Sequence, residues 1–547
     1  MDTIDFLVFA VFTLGVVFFG CSFFRKGGSA EEFAHAGRSL PGWVVGMSIF
    51  ATYVSSISYI GYPGKAFGTN WNAFVFSLSI PVAAYFAARY FVPFYRFGGS
   101  VSAYAFLEDK FGRWARLYAS ACYLLTQIAR MGSILYLLAM PMHILMGWDM
   151  VAVIIATSAL VIVYSMMGGL KAVIWADAIQ GIILIGGALL CLGILLFSLP
   201  EGPLQLFQLA DDATAATLLA GHASERASDV NATLGSVAHY GNKFSLGSFG
   251  TSLTESTFWV CLVYGIFINL QNYGIDQNYV QRYHAAKTDK DAKFSALFGG
   301  YLFIPVSALF FLIGSALYSY YQAGVAPLPE EIQAKPDYVF PYFIVNGLPV
   351  GLRGLLIASI FAAGMSTVST SVTSAATIIL TDYVRPFFTK VRSEWREVRG
   401  KRIVQIQTGH ADTSLTSHSL PLTSERHRRL ELAIVRLSSF GVGILGACVA
   451  IAMLSVESII DAWWTLSSIF SGGMLGLFLL GCIPAKISRL AAFLGCVAGV
   501  LVIGWISLAE MWSLPGIHLH PYLAIVLGTT VIFLVGFLAT YLVRGKK

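Results

Sequence analysis

The sequence predicts an all-α polytopic membrane protein, and three observations support that fold class. The chain has 547 residues, of which 56% are hydrophobic and 12% are charged. Its mean hydropathy is +0.71, and no soluble domain of this length needs so many apolar residues. Apolar windows of about 20 residues, enough to cross a bilayer as a helix, recur from end to end. We therefore interpret residues 1–547 as a single membrane domain.

Thirteen apolar windows are predicted to span the membrane. They lie near residues 3–24, 42–66, 73–95, 116–146, 150–167, 172–198, 255–280, 294–322, 345–382, 429–455, 460–484, 488–510 and 520–543. The second and seventh spans, five spans apart, are predicted to be interrupted, for the reasons given below. Such a pair indicates an inverted repeat with a binding site at the membrane midplane. The first repeat is then 42–198 and the second 255–455, with one extra helix before them at 3–24 and further helices after them at 460–543.

Basic residues in alternate loops predict the orientation of the chain. Lys and Arg follow the odd-numbered spans, and Arg282 is assigned with them to the loop after the seventh span, whereas the 199–250 loop is polar and acidic. The positive-inside rule places the N-terminus and the 199–250 loop outside, and the C-terminus in the cytoplasm. The 384–428 loop is basic and cytoplasmic on this interpretation. We interpret its basic residues as an orientation signal within a solvated linker. A regulatory or lipid-binding role is the alternative.

Composition and motifs argue against several functional classes. The net charge of +6 does not indicate nucleic-acid binding, because the basic residues lie in short loops between apolar spans. The seven cysteines form no CxxC motif, so neither disulfides nor zinc sites are predicted. No P-loop motif appears, which leaves ATP-driven transport unsupported. An intramembrane enzyme would need a catalytic cluster in the spans, and His143 is isolated near a span end, so the chain is predicted not to be an enzyme.

The second span is predicted to unwind near its centre. Ser55 and Ser58 lie in mid-span and lower its helix propensity, and Pro63 follows and removes a backbone donor. Unwinding would free the carbonyls of Ala51 and Val54. Unwound backbone occurs at membrane depth only around a cavity or a bound ion. A Pro-kinked packing helix is the alternative.

The seventh span repeats this pattern of polar residues in an apolar window. Its polar side chains cannot all face lipid, and Gly274 offers a second break. The residues concerned are Asn269, Gln271, Asn272, Asp276 and Gln277. A binding site is expected where the two interrupted spans meet.

A cluster of hydroxyls and one intramembrane carboxylate, Asp177, predict a cation site. Oxygen ligands without thiolate or imidazole suit a hard cation, and such groups are costly in hydrocarbon unless they are used. The hydroxyls crowd one short stretch of an apolar helix and belong to Ser366, Thr367, Ser369 and Thr370. The alternatives are hydroxyls that bond back to carbonyls one turn earlier, and an Asp177 that carries a proton or bonds to Gln180.

Arg130 is the clearest indication of the cargo. It lies several residues from either end of the fourth span, too deep to reach water easily. A planar guanidinium there suits a carboxylate held through two hydrogen bonds. The alternative is a structural pair with a helix carbonyl or with an acid such as Asp177.

Five segments resemble the sodium/solute symporter family, and they cover most of the chain from residue 33 to about 385. They are 33–43, FAHAGRSLPGW; the interrupted span 42–66; 167–180, MGGLKAVIWADAIQ; 276–283, DQNYVQRY; and 362–382. Within the family, the 50–58 run FATYVSSIS and the 128–131 step IARM are most similar to bacterial sodium/sialic acid symporters. The resemblance implies a LeuT-like fold of five-plus-five inverted repeats with discontinuous helices.

The resemblance also implies two Na⁺ sites, a substrate pocket and a gate. The first Na⁺ is implied at three carbonyls and two hydroxyls, those of Ala51, Val54, Ala363, Ser366 and Thr367. The second is implied at Asp177, Ser366, Ser369 and Thr370. The substrate carboxylate is implied at Arg130, with the rest of the pocket at Tyr53, Ser55, Ser58, Ala73, Ser77 and Asn269. An inner gate is implied at Asn272 and Tyr273, where ordinary aromatic packing is the alternative.

The pocket departs from the family pattern. Tyr53 is bulkier than the small hydroxyl residue expected there, and Ala73 and Ser77 replace an aromatic residue and an amide. The pocket is therefore expected to differ in shape, and which acid it admits is open. Ser58 and Tyr301 stand where sodium–galactose relatives have Gln and Lys, which argues against a neutral hexose.

The sequence thus predicts a secondary active transporter of the plasma (inner) membrane. It is expected to couple two Na⁺ to the symport of a small polar solute, with a carboxylated sugar such as sialic acid as the first choice. We expect it to work by alternating access, in the lipid bilayer, as a monomer and without a nucleic-acid partner. A neutral sugar or a small monocarboxylate is the alternative cargo. From another class, a solute sensor would need a folded signalling domain, and a sodium channel would show current without cargo.

Overall fold

The computed structural model describes residues 2–22, 36–98, 102–211, 242–387, 422–456, 459–484, 487–509 and 519–544. Within these ranges the chain is helical and contains no β-strand, and one isolated bridge joins Leu40 to Ala286. The all-α prediction is therefore confirmed for the described part of the chain. Most of the predicted loops at 199–250 and 384–428 lies outside the described residues.

The α-helices are numbered here in chain order. The first ten are α1 (Thr3–Ser22), α2 (Gly42–Tyr53), α3 (Tyr62–Gly68), α4 (Phe74–Leu78), α5 (Ile80–Phe86), α6 (Val92–Gly98), α7 (Ala105–Phe111), α8 (Arg113–Met146), α9 (Met150–Phe197) and α10 (Gln205–Asp211). The next ten are α11 (Phe258–Ile275), α12 (Gln277–Ala285), α13 (Asp289–Gln322), α14 (Glu330–Gln333), α15 (Pro336–Asn346), α16 (Leu352–Ile378), α17 (Leu422–Ala452), α18 (Ile459–Cys482), α19 (Arg489–Ala509) and α20 (Leu523–Arg544). Short π or 3₁₀ segments interrupt or extend them at Ala36–Arg38, Ile57–Gly61, Ala87–Phe91, Ile379–Val384 and Met453–Ser455.

The described residues include 11 helical stretches long and apolar enough to cross a membrane. A twelfth crossing is formed if the bent pair Gly42–Tyr53 and Ile57–Gly68 counts as one span. The remaining predicted window, 150–167, corresponds to a shorter apolar helix, Met150–Val163. The many-helix membrane architecture agrees with the sequence, and the number 13 stays a prediction.

Helix α9 contains a break that separates two of the predicted spans. It has 48 residues, which would measure about 72 Å if straight, more than twice the hydrocarbon thickness. Gly169 interrupts it with non-helical angles, φ 61° and ψ −171°. Only glycine reaches such a conformation without strain. The windows 150–167 and 172–198 therefore meet at this glycine.

The predicted break in the seventh span lies two residues after Gly274. Helix α11 ends at Ile275, Asp276 is extended at φ −76° and ψ 124°, and α12 begins at the next residue. The Asp276 side chain accepts a hydrogen bond from the Asn278 N–H at 2.7 Å and so caps the new helix. The assignment of Arg282 to a cytoplasmic loop is wrong, because this residue belongs to α12 and its side chain is fully buried.

Helix α16 lies at the centre of the bundle. In its most apolar window 94% of the residues are buried, against 22% for α1. It packs against α2, α8 and α9, so its hydroxyls face protein on every side. In helices α1, α19 and α20, which lie outside the predicted repeats, less than half of the most apolar window is buried. Helices at the periphery of a membrane bundle are expected to face lipid in this way.

Candidate substrate and cation site

The second span is interrupted at the predicted place. Helix α2 ends at Tyr53, and Val54 turns to φ −81° and ψ 102°. The Ile57 N–H then donates to the Ser55 hydroxyl at 3.2 Å and does not continue the main-chain hydrogen bonds of the helix. The two halves are bent by 57°. The carbonyls of Ala51 and Val54 therefore lack the donors that a continuous helix supplies, and the predicted discontinuity is confirmed.

The four hydroxyls of α16 are completely buried. Two of them bond back along their own helix: Thr367 Oγ1 donates to the Ala363 carbonyl at 3.1 Å, and Ser369 Oγ donates to the Ser366 carbonyl at 2.9 Å. The back-bonding that the sequence left open is thus present for these two. A donating hydroxyl keeps its oxygen lone pairs, so both oxygens still have the chemistry of Na⁺ ligands.

Asp177 ties three helices together. Its Oδ1 accepts from the Ser366 hydroxyl of α16 at 2.5 Å, and its Oδ2 accepts from the Ser48 hydroxyl of α2 at 2.5 Å. Ser48 lies one turn before Ala51, so the hydroxyl cluster and the interrupted span meet at this carboxylate. The alternative bond to Gln180 is not formed, because the Gln180 amide has no hydrogen-bond partner among the described residues.

Arg282 is a buried charged residue of the candidate site that the sequence reasoning missed. Its Nη2 lies 2.8 Å from Asp177 Oδ2 and 2.8 Å from Thr370 Oγ1. Its Nε donates to the Ser48 hydroxyl at 2.7 Å, and its Nη1 donates to the Asn278 carbonyl one turn earlier at 2.7 Å. The available signal was its position one turn and a half inside α12, a helix that starts at an intramembrane break.

A cavity lies beside the two breaks and holds Arg130. It contains about 590 Å³ of space outside protein atoms, part of it open to solvent. Its polar and aromatic lining includes Tyr53, Ser55, Ser58, Thr126, Gln127, Arg130, Tyr264, Asn272, Asp276, Tyr279, Trp463, Trp464 and Ser467. Arg130 Nη2 donates to the Thr52 carbonyl, and the guanidinium carbon lies 6.0 Å from the centre of the Trp463 ring. The helix-carbonyl alternative is therefore present, and it uses one of the five guanidinium donors.

Asp276 is a second charged group on the cavity wall that the sequence did not assign to the pocket. Its Oδ2 accepts from Gln127 Nε2 at 3.3 Å, and the Gln127 Oε1 accepts from Asn278 Nδ2 at 3.0 Å and from the Ser371 hydroxyl at 2.8 Å. The chain of bonds connects the cavity to α16. The cavity thus carries one guanidinium and one carboxylate.

Three residues predicted to line the pocket do not line this cavity. The Ser77 hydroxyl pairs with the Ser307 hydroxyl at 2.7 Å. Asn269 Nδ2 donates to the Phe76 carbonyl at 3.3 Å and to the Ser79 hydroxyl at 2.8 Å, which joins α11 to α4. Ala73 is buried at the start of α4. In this structure the Ser77 and Asn269 side chains bond to other helices, and the place of all three residues in the substrate pocket stays a prediction.

The predicted gate residues form one cluster with Tyr53. Asn272 Nδ2 donates to the Tyr53 hydroxyl at 3.1 Å, and Asn272 lines the cavity. Tyr273 is fully buried and stacks on Tyr53 with ring centres 5.8 Å apart and on Tyr279 at 5.1 Å. The aromatic stack therefore closes one side of the cavity, and whether it opens as a gate stays a prediction.

Comparisons with known proteins give matches over most of the chain. The sequence model described as "Sodium:solute symporter family" matches residues 33–410. The "Sodium/sialic acid symporter NanT" of Aliivibrio fischeri is 27% identical over 100% of this chain and 94% of its own length. The "Sodium/sialic acid symporter SiaT" of Proteus mirabilis is 29% identical over 91% of this chain and 88% of its own length.

A solved structure is similar over nearly the whole chain. It is described as the substrate-bound outward-open state of a Na⁺-coupled sialic acid symporter that reveals a novel Na⁺ site. Its TM-score is 0.77, with 26% sequence identity, and the match covers 99% of this chain and 98% of that one. The match therefore includes both interrupted spans and α16.

Proposed function

The chain belongs to the sodium:solute symporter family, and on that premise we propose that it carries a carboxylated sugar such as sialic acid across the plasma membrane together with Na⁺. It is a Na⁺-coupled transporter and not an enzyme. Relatives named as sodium/sialic acid symporters match it over most of its length. The observation that carries the choice of cargo is Arg130 on the wall of the cavity beside the first break.

Arg130 has the chemistry to bind a substrate carboxylate. One donor is committed to the Thr52 carbonyl, which leaves others for the two oxygens of a carboxylate. Tyr53, Ser55 and Ser58 present hydroxyls on the same cavity wall, and these suit the hydroxyl groups of a sugar. The Asp276 carboxylate balances the guanidinium in the cavity. An anionic cargo therefore adds one negative charge, which a co-transported cation offsets.

The first Na⁺ is proposed at the break in the second span, held by the Ala51, Val54 and Ala363 carbonyls and the Ser366 and Thr367 hydroxyls. Neutral oxygens from an opened helix end suit a monovalent cation at membrane depth. The second Na⁺ is proposed at Asp177, Ser366, Ser369 and Thr370. Since Ser366 belongs to both sets and bonds to Asp177, the two sites adjoin. Each Na⁺ that moves inward gains about 2.3 kcal/mol per 100 mV.

The two breaks support alternating access as the mechanism. Each separates a span into halves that can move separately around the fixed ion and substrate sites. We place 13 spans in the bilayer, with repeats at 42–198 and 255–455, the N-terminus outside and the C-terminus in the cytoplasm. The Asn272 and Tyr273 cluster is the proposed inner gate, and the monomer is the proposed functional unit.

Binding linked to sodium tests this function. Purified protein is heated with N-acetylneuraminate, galactose or lactate, each in NaCl or in choline chloride at the same ionic strength. We expect N-acetylneuraminate to raise the apparent melting temperature in Na⁺ and not in choline, because ligands that bind cooperatively stabilise the protein together. Stabilisation by galactose or lactate alone would instead support the neutral-sugar or monocarboxylate alternative.

Two substitutions on α8 make the test specific for Arg130. Arg130→Ala should abolish the shift caused by N-acetylneuraminate, and Arg130→Lys should restore only part of it, because Lys lacks the planar fork. Arg113→Ala is the matched control, since Arg113 starts the same helix and is exposed. A Na⁺-dependent shift that survives Arg130→Ala would contradict the assigned role.

A further inference from the structure

The place proposed for the second Na⁺ contains a positively charged side chain of the protein itself. Arg282 Nη2 lies 2.8 Å from both Asp177 Oδ2 and Thr370 Oγ1. Both oxygens belong to the proposed ligand set. A third member, the Ser366 hydroxyl, bonds to the other Asp177 oxygen at 2.5 Å. A cationic nitrogen therefore lies between two of the oxygens that Na⁺ would coordinate.

Charge balance allows only one cation at this carboxylate. The side chains of Arg282 and Asp177 are both 0% exposed. A buried carboxylate without a counter-charge is strongly destabilised, and one positive charge removes that cost. Arg282 and Na⁺ each supply one charge, so both together would leave a buried excess positive charge. The two cations exclude each other electrostatically as well as by space.

We propose that Arg282 is a tethered cation that competes with Na⁺ for Asp177, so that the second Na⁺ binds only after the guanidinium withdraws. The inference rests on the proposed function, because it concerns one of the proposed Na⁺ sites. In this conformation the Arg282 guanidinium occupies the proposed second Na⁺ site. The second Na⁺ then replaces the Arg282 guanidinium at Asp177 in a single exchange. One positive charge faces the Asp177 carboxylate both before and after it.

The position of Arg282 on α12 couples this exchange to the shape of the transporter. Helix α12 is the second half of an interrupted span and starts directly after the extended residue Asp276. Three of the groups that hold the guanidinium, on Ser48, Asp177 and Thr370, belong to α2, α9 and α16. Movement of α12 away from these helices withdraws the guanidinium and opens the site. Na⁺ that binds there favours the moved state by its differential affinity.

A pair of serine substitutions separates competition from a permanent structural ion pair. Ser48 accepts from Arg282 Nε at 2.7 Å, donates to Asp177 Oδ2 at 2.5 Å and is not a proposed Na⁺ ligand. Ser369 is a proposed ligand, and its hydroxyl donates to the Ser366 carbonyl at 2.9 Å. Competition predicts opposite effects of the same chemical change. Ser48→Ala weakens the hold on Arg282 and should strengthen Na⁺ binding, whereas Ser369→Ala should weaken it.

The measurement is a Na⁺ titration of thermal stability in choline at constant ionic strength, with no sugar present. We expect the half-saturating Na⁺ concentration of the weaker component to fall about threefold to tenfold in Ser48→Ala and to rise in Ser369→Ala. The proposal is overturned if Ser48→Ala leaves that concentration unchanged or raises it. It is equally overturned by a single Na⁺ component that neither substitution moves.

A substitution of the arginine itself gives the largest effect where the protein folds. Arg282→Gln should bind the second Na⁺ more tightly than Ser48→Ala does, and Arg282→Lys should fall between Arg282→Gln and wild type. Na⁺ binding by Arg282→Gln that is no tighter than wild type overturns the competition. If Arg282→Gln does not fold, the serine pair decides. Because no cargo is added, failure to bind N-acetylneuraminate would defeat the proposed cargo and leave this result intact.

Discussion

The two buried arginines of the transport core, Arg130 and Arg282, have opposite hydrogen-bond environments. Arg130 donates to a main-chain carbonyl and faces a cavity beside the Trp463 ring. Arg282 bonds to Asp177, Ser48, Thr370 and the Asn278 carbonyl in a fully enclosed site. A guanidinium with unused donors on a cavity wall is suited to bind a ligand. A guanidinium whose donors are already bonded to protein groups must give up those bonds before it, or the carboxylate beside it, can bind a ligand or an ion.

The largest expected effect is on stability, and it differs between the two arginines. Arg282→Ala removes one member of a buried pair and leaves Asp177 uncompensated, which should cost about 3–5 kcal/mol. Arg130→Ala removes a charged hydrogen-bond donor beside a cavity that is partly open to solvent, and should cost less, about 1.5–3 kcal/mol. Apparent melting temperatures of both variants, in one detergent and in choline chloride without Na⁺, measure the difference.

The double variant Asp177→Asn with Arg282→Gln is the control for that measurement. It removes both charges at once, so it should be more stable than Arg282→Ala alone. A melting temperature for Arg130→Ala as low as that of Arg282→Ala would break the distinction between the two arginines. It would mean that Arg130 also serves mainly to hold helices together.

The buried carboxylate of Asp337 can be compared with that of Asp177, which is paired with a guanidinium. Asp337 lies in α15, outside the candidate spans, and receives a hydrogen bond from the Ile459 N–H at 3.4 Å. The pKa of Asp337 is raised to about 7, because burial and the nearby Asp461 raise it by more than this N–H and Lys65 lower it. Asp177, in contrast, has a bonded arginine to balance its charge.

The sign of the resulting pH dependence follows from that shift. The pKa of Asp337 in the folded protein lies above its value of about 4 in an unfolded chain. The folded state therefore binds more protons than the unfolded state between about pH 4 and 7, and stability should fall as pH rises through that window. Asp337→Asn should flatten this part of the curve of melting temperature against pH. Asp109→Asn, at an exposed position, is the control, and equal curves for wild type and Asp337→Asn would contradict the assignment.

The sequence predicted the local features of the core well because they depend on local chemistry. Ser55, Ser58 and Pro63 are poor helix formers, and the break occurs among them. The second break lies two residues after Gly274 because the Asp276 side chain can cap a helix that begins after it. Both features follow from residues within one or two turns.

The sequence failed where a side chain's partner lies far away along the chain. Arg282 resembled one more basic loop residue, and its partner Asp177 is 105 positions away. Ser77 and Asn269 are predicted pocket residues, and in this structure they bond to Ser307 and Ser79, 230 and 190 positions away. A polar residue in a span can face a ligand or another helix. Residue type alone does not distinguish these two uses.

The smallest expected effect concerns a phenol that has both a protein partner and access to the cavity. The Tyr53 hydroxyl accepts from Asn272 Nδ2 at 3.1 Å and lines the cavity, whereas the Tyr59 hydroxyl is buried and has no hydrogen-bond partner among the described residues. Tyr53→Phe removes one neutral hydrogen bond, worth about 1 kcal/mol. The dissociation constant for N-acetylneuraminate in Na⁺ should therefore rise about fivefold.

Tyr59→Phe is the matched control for this substitution. It makes the same chemical change at a buried phenol that does not line the cavity, so cargo binding should stay unchanged and the melting temperature should stay equal or rise slightly. Titration of each variant with N-acetylneuraminate measures both constants. Equal constants for Tyr53→Phe and wild type would show that the Tyr53 hydroxyl contacts only Asn272 and that its role is structural. Hydroxyls on a cavity wall would then follow the same rule as the two arginines, since a group already bonded to protein contributes little to ligand binding.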